Sequence, residues 1–251
     1  MASIVSFHSL RHLLGALATA VLASAPALAA AGGMVVGSGK AVAEQRSVGS
    51  FQAVTLTGAM KVVLRQGAKE AVEVRADDNL LPLIETTVVE RAGVPTLEIG
   101  TRRGASYSTH SRMVVTVDVV QLKALTLTGS GDMAADGLKT ADLQVKVQGS
   151  GDVDLRRLAA DTLGVRIAGS GDMSASGHAG RLDVAIAGSG DLVARDLVAD
   201  DASVSIVGSG DARIQARKTL AVTIAGSGDV DYTGDAAVKT TIAGSGSVKK
   251  H

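Results

Sequence analysis

From residue 124 onward the chain alternates apolar and polar positions with a period of two, and one four-residue motif interrupts the alternation at a nearly fixed interval. Gly129-Ser130-Gly131-Asp132 recurs as GSGD at Gly149, Gly169, Gly188, Gly208 and Gly226, and as GSGS at Gly244. The intervals between first glycines are 20, 20, 19, 20, 18 and 18 residues. Leu143, Val145 and Val147 stand six, four and two residues before Gly149; Leu163, Val165 and Ile167 hold the same offsets before Gly169, and Leu182, Val184 and Ile186 before Gly188. After each motif the alternation resumes, as in Val153 and Leu155 or Leu192 and Ala194. Alternation with β-branched residues is the pattern of a half-buried strand. Each period therefore reads as strand, GSGD turn, short strand and a second turn such as Ala135-Asp136-Gly137.

A fixed period of this size signals a repeat architecture. One rung cannot bury its apolar face alone, so rungs must stack, with equivalent residues in columns about 4.8 Å apart. Antiparallel hairpins would not keep one motif in one place. A propeller blade needs roughly 40 residues, and a leucine-rich repeat needs its asparagine ladder. The pattern predicts an all-β, right-handed, single-stranded parallel β-helix with coils of about 18–20 residues, its hand following from strand twist and the crossover rule.

The earlier chain fits the same scheme less regularly. Arg11, His8 and His12 precede the apolar run Leu13 to Ala25, and Ala27-Leu28-Ala29 offers small residues for cleavage. Residues 1–29 read as a secretory signal peptide, which implies export to the periplasm, cell surface or medium. No second apolar run follows, so no transmembrane segment is expected after cleavage. Residues 30–43 are glycine-rich and read as a flexible leader. The β-helix domain is expected over 44–251, with irregular coils at 44–123 and regular GSGD coils at 124–248. Val54 and Leu56 before Gly58, with Val62 and Leu64 after it, form a first rung in which TGAMK replaces GSGDM. Leu80 to Val89 reads as a strand or a short helix, Arg91 to Pro95 as a turn, and Arg102 to Arg112 as a polar insertion.

QRSVGSFQAVTLTGAMKVVLRQG from Gln45, ADDNLL from Ala76 and coils such as LTLTGSGDM from Leu125 resemble the putative auto-transporter adhesin head domain, or head GIN domain. The resemblance spans about Glu44 to Val248. It implies a secreted bacterial protein with a right-handed parallel β-helix and an adhesin label, and it brings no catalytic or binding residues. An autotransporter needs a membrane β-barrel, for which no residues remain here.

Composition narrows the chemistry. There is no cysteine, which removes disulfides, thiolate metal sites and a cysteine nucleophile. Basic and acidic residues balance at 25 each, so no nucleic-acid footprint is present. Past the leader the aromatics are Phe51, Tyr107 and Tyr232, too few for stacking platforms. GSGK at Gly37 lacks the spacing of a phosphate loop. His110, His178 and His251 are solitary, and His178 takes the place held by Leu158 and Leu197.

The aspartate column is the sharpest chemical feature: Asp132, Asp152, Asp172, Asp191, Asp211 and Asp229. Stacked carboxylates suit a hard cation, so a calcium ladder is one reading. The other is structural, each carboxylate accepting N–H groups of its own turn. GSGD at 18–20 residues does not match the nonapeptide calcium repeats. The expectation is a structural turn, no cofactor and no catalytic residues. On the outward face Ala168, Ala187, Val207, Ala225 and Ala243 form a small, uncharged column that would suit self-association or docking to an envelope component. The favoured function is a secreted, non-catalytic binding or structural protein of the cell envelope. A polysaccharide-processing enzyme and a calcium-dependent assembly module are the alternatives.

Overall fold

The computed structural model describes residues 33–251, so the signal-peptide reading of 1–29 lies outside the described residues. Alternation sets which side chains point inward, and the repeat sets which of them meet. Leu143, Val145 and Val147 are buried, and in-register parallel pairing places Leu163, Val165 and Ile167 directly upon them, followed by Leu182, Val184 and Ile186. Each such side chain contributes roughly 1.5–3 kcal/mol on leaving water. The result is a parallel β-solenoid of about six turns.

Each coil has three sides. The first runs into the glycine corner, and its eight rungs align Gly58, Gly129, Gly149, Gly169, Gly188, Gly208, Gly226 and Gly244 in one column. The second side begins just after the corner, where Met133 stacks between Val62 and Val153. The third returns through Leu158, Gly177 and Leu197. His178 therefore does not fill the leucine place. The 19-residue coil is one residue short before it, Gly177 takes the inward register, and His178 lies exposed between Ala159 and Val198.

The corner needs both of its glycines. The first lies at positive φ, 124° at Gly149, where other residues are strained. The second has an ordinary φ but no room: a Cβ at Gly151 would stand 2.0 Å from the Gly131 carbonyl oxygen. Backbone thus stacks on backbone. The Gly129 carbonyl accepts N–H bonds from both Ser150 and Gly151, at 2.9 and 3.1 Å, and the Gly149 carbonyl accepts from Ser170 and Gly171.

Residues 44–123 depart from the expected irregular coils. Val94–Thr101 lies parallel beneath Ala53–Gly58, and Val114–Val119 parallel beneath Lys61–Gln66. Beyond them the pairing turns antiparallel, Ile84–Arg91 against Val94–Thr101 and Ala71–Asp77 against Val114–Val119. The short helix is one 3-10 turn, Leu81–Leu83, and the strand follows it. The expected turn at 91–95 is a two-residue hairpin loop in which Ala92 and Gly93 both have positive φ, the geometry whose twist suits a hairpin.

The leader is structured rather than flexible from residue 35. Val35–Val36 pairs with Tyr107–Ser108, and Ala41–Arg46 runs antiparallel to Ala71–Asp77. GSGK acts as a clasp. Ser38 Oγ donates to Asp78 Oδ1 at 2.6 Å, and Ser38 N–H to Asn79 Oδ1 at 3.0 Å. The polar 102–112 insertion is drawn into the same lock, since Thr109 Oγ1 donates to the buried Asp77 at 2.7 Å. Hydrogen bonds from Ser111 and Thr109 hold the Asp77 carboxyl below the usual carboxylate range.

The two ends differ. Antiparallel strands close the N-terminal end. At the other end Val238 and Ile242 are 38% and 42% exposed, whereas Ile224, one coil below Ile242, is 1% exposed.

Candidate functional site

The second side carries the aspartate column, and its hydrogen bonds run between coils. Asp172 N–H donates to Asp152 Oδ1 at 3.1 Å, Asp191 to Asp172 at 2.8 Å, Asp211 to Asp191 at 2.9 Å and Asp229 to Asp211 at 2.9 Å. The ladder ends where both the N–H and Oγ–H of Ser247 donate to Asp229 Oδ1 at 2.8 Å. From Asp152 onward each carboxylate therefore ties to the next coil, not to its own turn as the spacing suggested, while the Asp152 N–H donates to the Gly131 carbonyl and leaves Asp132 outside the ladder. The physical reason is that the corner N–H groups already bond the glycine carbonyl of the coil before. Asp132, the first member, registers with Lys61 on one side and Asp152 on the other. The Ser247 contacts lower the Asp229 carboxyl below its ordinary range. No cluster of three or more metal-ligating side chains occurs among the described residues.

The outward face of the first side has two zones. Towards the C-terminus Ala168, Ala187, Val207, Ala225 and Ala243 lie in strict register and are exposed, with Val207 at 58%. Towards the N-terminus the same face becomes concave. A groove of about 600 Å³ has its floor on Thr55, Thr126, Gln144, Lys146 and Arg166, and Arg91, Ala92 and Val94 of the hairpin form its wall. The groove was missed in the sequence because the wall depends on a hairpin that the repeat pattern does not announce.

Every charged side chain lining this groove is a cation: Arg91, Lys123, Lys146 and Arg166. Arg91 is engaged by Glu98, with Nε 2.7 Å from Oε1. Among the described residues the other three have no ion-pair partner, whereas Arg65 is matched with Asp118, Arg157 with Asp136 and Arg181 with Asp183. Lys146 and Arg166 pair in register on adjacent rungs. At the roughly 4.8 Å rung spacing their repulsion costs on the order of 1 kcal/mol in water. Gly164 clears space beside them: a Cβ there would stand 2.3 Å from Gln144 Oε1, so its absence lets the Gln144 amide lie across the rung.

A second concavity, of about 630 Å³, lies under the 102–112 insertion between Tyr107, Arg112, Lys61 and Asp132. His110 and His178 are exposed, and His251 lies 3.1 Å from Asp231. The three histidines are not brought together.

The solenoid has known counterparts. A structure described as a putative adhesin from Bacteroides fragilis superposes with a TM-score of 0.79 at 23% identity, covering 86% of this chain and 100% of its own. One described as a putative lipid binding protein from Parabacteroides distasonis gives 0.72 at 26% identity, over 87% of this chain and 100% of its own. A putative adhesin from the same organism gives 0.68 at 26% identity with the same coverage. No curated protein matches the chain. The family model described as putative auto-transporter adhesin, head GIN domain, matches residues 50–236. Its match begins beside Phe51, at the base of the first glycine rung, and ends in the final coil, so the chain belongs to the head GIN domain family of putative auto-transporter adhesins.

Proposed function

We propose that this protein is a non-catalytic binding protein of the bacterial cell envelope, exported by its first 29 residues and docking through the outward face of the first side. The observation that carries the reading is the continuous in-register face that ends in Ala168, Ala187, Val207, Ala225 and Ala243. Within that face the column itself carries no charge, and an uncharged exposed strip of sheet is a surface suited to being covered. The adhesin names within the family point the same way. The groove on this face is lined by cations, the Gln144 amide, threonines and small apolar side chains without a carboxylate, whereas glycoside hydrolysis calls on a carboxylate pair. That favours binding over glycoside hydrolysis.

Retention of the chain by isolated bacterial envelopes tests the proposal. Ala187→Lys combined with Ala225→Lys should cut retention about fivefold or more and dissolve any self-association seen in sedimentation, with the circular dichroism unchanged. Retention equal to wild type would remove the face from the account.

A further inference from the structure

We infer that the groove beneath the hairpin is a subsite for an acidic polysaccharide, a chain carrying carboxylates at regular intervals. The inference rests on the docking face proposed above and names the ligand class for its N-terminal zone. Three observations converge. Lys123, Lys146 and Arg166 have no carboxylate partner among the described residues and converge on one concave surface that no carboxylate lines. Lys146 and Arg166 stand in register on adjacent rungs, a pair of cationic side chains springing from neighbouring backbone positions that matches anionic groups repeated along a strand-like ligand. The amide of Gln144 and the hydroxyls of Thr55 and Thr126 line the same floor and supply the neutral hydrogen-bonding groups that a sugar chain requires.

The shape selects among polyanions. The Arg91–Val94 ridge stands at one side of the floor, so a linear chain can lie in the groove while a flat bilayer would meet the ridge first. Single-stranded nucleic acid would want aromatic platforms, and no aromatic residue lines the groove. Recognition by charge and hydrogen bonds instead of ring stacking suits an acidic glycan and predicts marked salt sensitivity.

Titration calorimetry of the chain with polygalacturonate, beside a neutral galactan of equal length, tests the inference. Polygalacturonate should bind, weaken steeply with added salt, and lose on the order of tenfold in affinity in the Lys146→Gln/Arg166→Gln variant, since each exposed charge contributes a few-fold. Lys218→Gln, on the third side, should leave binding unchanged. An affinity insensitive to the double substitution, or equal for the neutral polymer, overturns the subsite. Tighter binding of anionic-lipid vesicles or single-stranded DNA in the same assay overturns the ligand class. If polygalacturonate fails while envelopes still retain the chain, the ligand class falls and the docking face stands; failure of both removes both.

Discussion

At Gly151 the neighbouring coil leaves no volume for a methyl group, because the Gly131 carbonyl lies 2.0 Å from where a Cβ would be. Ser150, between the two corner glycines, is exposed. The same motif thus contains positions of opposite tolerance. Gly151→Ala should destabilise the protein by about 3 kcal/mol or more, since backbone must move against backbone. Ser150→Ala should stay within about 0.5 kcal/mol. Urea denaturation of the two variants beside wild type checks the pair, and equal midpoints for both would contradict the close approach at the corner. The rung at Gly58 shows the same rule from the other side. There Ala59-Met60 replaces Ser-Gly, and what lies beneath is not another glycine corner but the strands Val94–Thr101 and Val114–Val119.

Among the elements, the last strand, Val248–Lys250, is attached by three paired residues on Val230–Thr233, the Asp229–Ser247 contacts, the exposed Lys250–Asp235 pair and the contacts of His251 with Tyr232 and Asp231. Because the folded Asp229 carboxyl is held below its ordinary value, its contribution is complete above about pH 4 and is lost as pH falls through the folded value. Acidification should therefore release Ser247 to Lys250 before the inner coils, read as faster amide exchange there. Asp229→Asn should flatten that pH dependence. Exchange at Ser247 that does not respond to pH in the wild type would contradict the attachment.

The elements also show what could be read from sequence. Leu163, Val165 and Ile167 were legible as a stacked inward run because one repeat fixes both the strand and its neighbour. The pairing of the N-terminal strands was not legible: Val72 and Val74 alternate as any half-buried strand does, and alternation is the same for parallel and antiparallel pairing. The aspartate column was visible in sequence, while the direction of its hydrogen bonds was not, because that depends on corner N–H groups already engaged by glycine carbonyls. The cationic groove escaped because Lys123, Lys146 and Arg166 meet Arg91 only once the hairpin folds against the first side.

On the scale of the whole molecule, function follows from asymmetry. One end is closed by antiparallel strands and the other leaves Val238 and Ile242 half-exposed; one face is ruled by paired carboxylates and another carries lone cations and small residues. No helix among the described residues is long and apolar enough to cross a membrane. The central claim is that the first side is the docking face, and lysine footprinting reads it directly. Lys146 and Lys239 lie on that face, Lys61 on the second side and Lys218 on the third, and all four are exposed. Acylation rates should be measured by mass spectrometry with and without isolated envelopes. Binding should slow Lys146 and Lys239 several-fold and leave Lys61 and Lys218 unchanged. Protection of Lys61 or Lys218 with Lys146 and Lys239 still open would place the interface on another side and contradict the account.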